Sequence, residues 1–414
     1  MNNRLITSLQ ILLLCGTVYG CSGSGNNPVE YKDENAKSYK KSATLELTDS
    51  YLLPVDENTD SKIYGIDIFQ DKNDNTKMIS FLNPSSKSIL LFDFDKKAII
   101  KKVPLFQEGR NNTGAINLPS MHKVISKDSI LFFNMDYLNV LNTNGDLLDR
   151  VQLVTENSIV DSSPKPNPST NSPIIYKDGT AYLFCAYNVY YSPQNEIKDL
   201  LKVNLANKEI KPLFNRINLY NYGFWGHNMN LYYLYGAQNS KENSLVMGYA
   251  ADPHLYTFSL NDEKVTPSQF IGSENFKSID PFLSNKNDKT LNPSHDDMAK
   301  SAEFELTNPS YYSIFYDDVN DVYVRLAYLP RTKSEYRDPL TRYKFKYSAI
   351  IMDNKFNKIG ETILPDATEL DYRMIFFDNG YMYVFNKKKY NEDNNNLYFD
   401  RYKMKKDANI MLLP

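Results

Sequence analysis

The chain has 414 residues, 47 of them basic and 50 acidic, with a formal net charge of −3. That balance gives no electrostatic reason to expect nucleic acid as a partner, since phosphate binding needs a basic stripe that releases counterions. Aromatics reach 13%, with 32 Tyr against 16 Gly, a composition that suits strands packed on both faces.

The first twenty residues, MNNRLITSLQILLLCGTVYG, carry Arg4 and then an apolar run from Leu5 to Val18. The run is too short to span a bilayer comfortably, and the segment 1–20 reads as a secretory signal peptide. Val18-Tyr19-Gly20-Cys21 resembles the lipobox of bacterial lipoproteins: an aliphatic residue, a small residue, then the Cys that is acylated. The resemblance implies lipid attachment (palmitate-type acylation) at Cys21, an effectively permanent anchor to the membrane. Ser22 rather than Asp after it implies the outer membrane, on either its periplasmic or its surface side. Residues 21–42 are polar and without periodicity, a flexible tether that would hold a domain roughly 25 Å from the membrane. Cys185, inside the apolar run AYLFCAY, is then left alone, a buried small hydrophobe rather than half of a disulfide.

From residue 43 to 414 the chain repeats one unit. Ser88 to Leu105, SILLFDFDKKAIIKKVPL, is an apolar run, a polar turn and a second apolar run, which by pattern is a β-hairpin. Similar hairpins start at Leu138, Leu200, Leu255, Ser348 and Leu397, and their markers Phe92, Leu141, Val203, Phe258, Met352 and Tyr402 recur mostly at intervals near fifty residues. Four strand-like runs per interval predict an all-β fold, a six-bladed β-propeller. The last blade lacks a fourth strand, which either ATLELTDS from Ala43 or NIMLL from Asn409 can supply. The N-terminal segment is favoured, because closing the ring with both chain ends removes an exposed edge.

The connections predict an asymmetric ring. Turns after the first and third strand of a blade lie on one face, and here they are short, as in Lys127-Asp128, Asp178-Gly179, Asn144-Gly145 and Asp378-Asn379-Gly380. Links after the second and fourth strand lie on the other face and include 107–119, 155–172, 188–198, 216–228, 271–309, 331–347 and 387–395. Function on a rigid scaffold sits on the loops it displays, which points to the long-link face.

Two stretches of that face carry candidate ligand-binding residues. RINLYNYGFWGHN, from Arg216, holds Trp225, the single Trp, and His227; the pair either stacks on a ligand or, through Phe224 and Trp225, plugs the gap between two blades. Around Arg337 and Arg342, with Arg110 of QEGRNNTG directed to the same rim, basic residues form either an anion site or, interspersed with Glu335 and Asp338, a solvated charged surface.

No cofactor and no metal is expected. Asp71-Lys72-Asn73-Asp74-Asn75 starts like a calcium loop, but Thr76 replaces the required Gly and Leu82 the bidentate Glu, so it reads as a turn. His122, His227, His254 and His295 show no ligand spacing, and His295-Asp296-Asp297 is expected in a mobile polar insertion. HExxH, GxSxG, P-loop and GxGxxG motifs are all missing, which gives no catalytic residue to assign.

With the lipobox, the hairpins and the EGRNNTG link after the first blade, the chain resembles an uncharacterised family of Bacteroidota cell-envelope lipoproteins with six-bladed propeller-like domains, the domain of unknown function 4221 type. The likeness runs from Thr44 to the C-terminus and implies no catalytic residues. The expected function is a monomeric, outer-membrane-anchored binding or scaffold module that presents its long-link face to a glycan, peptide or protein partner. The alternative is a periplasmic or surface hydrolase or lyase acting on a glycan or lactone. Three or more inward carboxylates around one cavity at the pore would favour the enzyme; an apolar plug would favour the module.

Overall fold

The computed structural model describes residues 39–57, 59, 63–71, 73–114, 116, 120–153, 165–186, 197–226, 230–284 and 294–406. The signal peptide, Cys21, most of the tether, His227 and the segment from Asn409 lie outside the described residues.

Six antiparallel sheets follow one another along the chain. Strand β1 (Ala43–Pro54) precedes blade 1, formed by β2 (Tyr64–Gln70), β3 (Lys77–Asn83), β4 (Ser88–Asp93) and β5 (Ala98–Pro104). Blade 2 is β6 (Ser120–Ser126), β7 (Ser129–Asn134), β8 (Tyr137–Asn142) and β9 (Leu147–Gln152). In blade 3 the innermost position is shared by two short strands, β10 (Lys165–Pro166) and β11 (Ile175–Lys177), both paired with β12 (Thr180–Ala186), and β13 (Lys198–Asn204) and β14 (Ile210–Asn215) follow. After β15 (Gly223–Phe224) comes blade 4, β16 (Leu234–Asn239), β17 (Ser244–Tyr249), β18 (His254–Ser259) and β19 (Val265–Phe270). The next link holds β20 (Leu283–Ser284), which pairs with β15, and helix α1 (His295–Thr307). Blade 5 is β21 (Ser310–Asp317), β22 (Val322–Tyr328), β23 (Tyr347–Asp353) and β24 (Lys358–Ile363), with the one-turn α2 (Lys333–Arg337) between its second and third strands. Blade 6 contributes β25 (Leu370–Asp378), β26 (Tyr381–Asn386), α3 (Lys387–Glu392) and β27 (Asn396–Lys406).

The sixth blade is closed by the N-terminal strand: β1 runs antiparallel to β27, from Ala43 opposite Lys406 to Pro54 opposite Asn396. Its inward residues Ala43, Leu45, Tyr51 and Leu53 are buried, so the strand adds apolar contacts as well as a ladder of backbone hydrogen bonds. The apolar residues divide into clusters between neighbouring blades. Phe81, Phe92, Phe376 and Phe399 pack blade 1 on blade 6, Ile89, Leu91, Val124 and Phe132 pack blade 1 on blade 2, and Leu131, Phe133, Leu183 and Leu201 pack blade 2 on blade 3. Cys185 is buried in the last of these with a free thiol, as the run AYLFCAY suggested.

Some polar groups are buried along with these faces and are satisfied locally. Arg325, in the middle of β22, is fully buried; its guanidinium donates to the carbonyls of Asp252 at 2.6 Å and Pro253 at 2.8 Å, and lies 3.6 Å over the Tyr311 ring. It knits the link after β17 to blade 5, because main-chain carbonyls turned into an apolar seam need donors. His122, on β6, is also fully buried, with Nε2 2.7 Å from Ser80 Oγ and Nδ1 without a partner.

The turn asymmetry is as expected. Short turns after first and third strands place Asp93, Asn142, Asp317 and Asp353 side chains on the amides that follow them, which fixes each hairpin. Asp71 to Thr76 is such a turn, with Asp71 accepting from the Asn73 amide and Asp74 paired with Lys127. One expectation is corrected: His295 to Asp297 open a helix rather than a mobile insertion. Ser294 caps α1, its hydroxyl accepting from the Asp297 amide while the Asp297 carboxylate accepts from the Ser294 amide.

Candidate functional site

Among the described residues, those singled out in the sequence do not converge on one site. Arg110 is exposed on the link after blade 1. Arg337 is spent on Glu303 of α1, at 2.9 Å, and Arg342 lies over the Tyr336 ring at 5.2 Å, both on an exposed, solvated surface. Trp225 is only 2% exposed and packs edge-on against Tyr220 at 5.6 Å, which makes it part of the interior rather than a platform for a ligand.

The stretch that follows Arg216 nevertheless shapes a site. Arg216 and Asp199 form a buried ion pair at 2.7 Å, and Tyr249 donates to the same carboxylate. This charge pair holds the start of the link in place while Tyr220 donates to the Leu231 carbonyl at 2.6 Å, closing the link on itself. At its end Gly226 has φ +115°, and a Cβ there would collide with the Glu305 carboxylate. Glycine is required because Glu305, from the last turn of α1, lies directly against this backbone. The Asn230 amide donates to Glu305 at 3.3 Å from the other side.

Glu305 thereby forms part of the lining of a cavity of about 370 Å³ at the long-link end of blades 3, 4 and 5. Its walls are aromatic: Tyr233 before β16, Tyr312 at the start of β21, Tyr328 at the end of β22, and Phe345 and Tyr347 leading into β23. Tyr347 links this wall together, with ring centroids 5.4 Å from Tyr312 and 5.7 Å from Tyr328. The phenols are fixed by neighbours that also line the cavity. Tyr328 donates to the Leu306 carbonyl at 2.6 Å, Asn171 bonds the Tyr312 hydroxyl and Asn167 that of Tyr233. Burial pushes Tyr312 and Tyr328 up to about 12 and raises Tyr347 well above the ordinary phenol value, so all three remain neutral hydroxyls at any physiological pH. Asn167, Ser169 and Asn171, from the link into blade 3, supply amides and a hydroxyl on the opposite side, and Asn171 Oδ1 is buried without a partner.

Beside this wall the innermost strand of blade 6 leaves its register between Asp371 and Ile375. The irregularity turns Arg373 outward, its side chain 75% exposed and bonded twice to Asp371, at 2.9 and 2.7 Å. Glu305 is the single charged side chain in the cavity lining among the described residues. No group of three or more His, Cys, Asp or Glu able to hold a metal occurs among the described residues.

Sequence reasoning missed this site because its walls come from strand ends of three blades rather than from one motif. The available signal was the pairing of tyrosines at strand entrances, Tyr232-Tyr233 and Tyr311-Tyr312, in a Tyr-rich chain.

Residues 42–363 match the family model described as Domain of unknown function (DUF4221). The crystal structure of a DUF4221 family member from Bacteroides vulgatus ATCC 8482 superposes with a TM-score of 0.70 at 21% identity, covering 89% of this chain and 99% of that one. A protein of Bacteroides fragilis NCTC 9343 whose name gives it as exported superposes with a TM-score of 0.52 at 12% identity, covering 90% of this chain and 98% of that one. No curated protein matches the sequence. At these identities the likeness shows the propeller fold and no chemistry.

Proposed function

The chain belongs to the DUF4221 family, and on that premise we propose that it is an envelope-tethered, non-catalytic binding module that takes the end of a glycan into the cavity on its long-link face. The observation that carries the reading is the composition of that cavity: aromatic walls, side-chain amides and one carboxylate around about 370 Å³. Such volumes match small-ligand sites, and ring faces beside amides and hydroxyls suit a sugar, which offers an apolar face and a polar rim. Glycoside hydrolysis needs two carboxylates flanking the scissile bond, and the lining holds a single carboxylate among the described residues, which favours binding over turnover. Attachment to the outer membrane rests on the Val18–Cys21 lipobox and the polar tether that follows it. No helix among the described residues is long and apolar enough to cross a membrane.

A glycan array with the soluble chain from Ser22 tests the reading. Saturable binding that falls about tenfold or more in Tyr347→Ala and Tyr312→Ala, with melting little changed, supports it; one lost stacking contact accounts for most of that loss. Binding indifferent to both substitutions, or shortening of the glycan during incubation, would count against it.

A further inference from the structure

We propose that the link 331–347 of blade 5 is a docking tip that seats the ring on an anionic phospholipid surface; this rests on the reading of the chain as envelope-tethered. The link reads RTKSEYRDPLTRYKFKY, six basic residues against two acidic ones in a chain whose net charge is −3. Lys333, Arg337, Arg342, Lys344 and Lys346 are exposed, and among them stand Leu340, 82% exposed, and Tyr343, 66% exposed. Both acidic side chains are turned onto the backbone of the link itself: Glu335 accepts from the Thr332 amide at 2.8 Å and Asp338 from the Leu340 amide at 2.9 Å. Glu303 of α1 pairs with Lys333 at 3.3 Å and Arg337 at 2.9 Å, early in the link, so the excess of positive charge lies in its later part, with Leu340 and Tyr343.

The link is bonded into one shape. The Arg331 guanidinium donates to the carbonyls of Arg342 at 3.0 Å, Glu335 at 3.2 Å and Thr341 at 3.4 Å, the Thr341 hydroxyl donates to the Glu335 carbonyl at 2.8 Å, and the Leu329 amide closes the base on the Lys346 carbonyl at 2.9 Å. This frame holds Leu340 and Tyr343 in water, and their apolar surface is covered only when another phase meets the tip. A bilayer suits it better than a protein. Lysine is depleted in protein interfaces, whereas Tyr and Leu flanked by Lys and Arg match the boundary between headgroups and acyl chains. The reach of the anchor agrees. Residues 22–38 span at most about 60 Å, and Tyr39, which follows them, donates to Glu274 at 2.7 Å and lies 4.6 Å from Lys358 of blade 5, the blade that carries the tip. Phe345 and Tyr347 of the same link line the cavity, so docking sets the height of the cavity above the headgroups.

Co-sedimentation of the chain from Ser22 with vesicles tests the inference, and it needs neither acylation at Cys21 nor a glycan. At low salt the chain should partition about tenfold or more better onto vesicles of phosphatidylethanolamine and phosphatidylglycerol than onto phosphatidylcholine, and raised salt should remove most of that difference. Lys344→Gln with Lys346→Gln should weaken partitioning onto the anionic vesicles about tenfold or more, and Leu340→Ser with Tyr343→Ser should weaken it about fivefold or more. All four side chains are exposed, so melting should be unchanged in both variants. A native chain that stays in solution beside anionic vesicles overturns the inference and leaves the tip to a protein partner, while glycan binding on the array stands or falls separately. Partitioning unchanged in both variants overturns it too, by placing the contact elsewhere on the ring. Absence of a fatty-acyl label on Cys21 in cells would instead overturn the tether.

Discussion

His122 offers the sharpest check on how the blades are packed. The imidazole sits fully buried between blades 1 and 2, with one ring nitrogen on Ser80 and the other against the backbone near Gly65. Burial holds its pKa down at about 4, against 6.5 when free, the opposing charges of Asp67 and Lys123 being smaller effects. The unfolded chain therefore takes up a proton that the folded chain refuses, and stability falls as pH drops from about 6.5 and levels off below about 4. At pH 4.5 the loss works out at roughly 2.5 kcal/mol relative to pH 7.5, from one proton taken up by the unfolded chain over about two pH units below 6.5 at about 1.4 kcal/mol each, less a few tenths for the folded chains already protonated at that pH. Chemical unfolding of the native chain and of His122→Gln at both pH values measures it. The glutamine keeps a partner for Ser80, and whatever it costs at neutral pH, its stability should fall less on acidification by about that amount. Asp378, whose carboxyl burial pushes up, titrates in the opposite sense but is common to both proteins. Parallel losses in the two proteins would show that the ring either titrates normally or has a second partner, and would refute the account.

Deleting Ala43–Pro54 should open blade 6 and expose Leu45, Tyr51 and Leu53 together with their partners, a loss of about 5 kcal/mol or more and a large fall in melting temperature; a truncation that melts like the parent would refute closure by β1. Arg325→Met should cost about 3 kcal/mol or more, because the carbonyls of Tyr249, Asp252 and Pro253 lose their donor in an apolar seam, and denaturant midpoints will show it. Gly226→Ala puts a methyl group into Glu305 at a left-handed backbone position and should cost about 1–3 kcal/mol in thermal unfolding as well as weakening any ligand of the cavity.

The blades were legible because each is written locally. SILLFDFDKKAIIKKVPL needs only its own alternation and the Asp93 turn to become β4 and β5. Closure by ATLELTDS was legible from a physical necessity, a last blade one strand short. Helix α1 could have been read from Ser294-x-x-Asp297, a capping box hidden inside a polar insertion. The cavity could not be read in that way, since Tyr233, Tyr312 and Tyr347 meet only when blades 4 and 5 stand side by side. Trp225 drew attention by its rarity, yet its bulk is what commits it to the interior beside Tyr220.

The joining of β1 to β27 has a consequence in time. The Ser50 hydroxyl meets Asp400 across 350 positions of chain, so the strand made first waits, unmatched, until almost the whole polypeptide has been synthesised. Earlier blades have their strands within one continuous stretch and can assemble as they appear, whereas completion of the circle is a late, slow event that rewards nothing until both termini are present. A chaperone able to shield one bare strand edge would meet this protein at that edge.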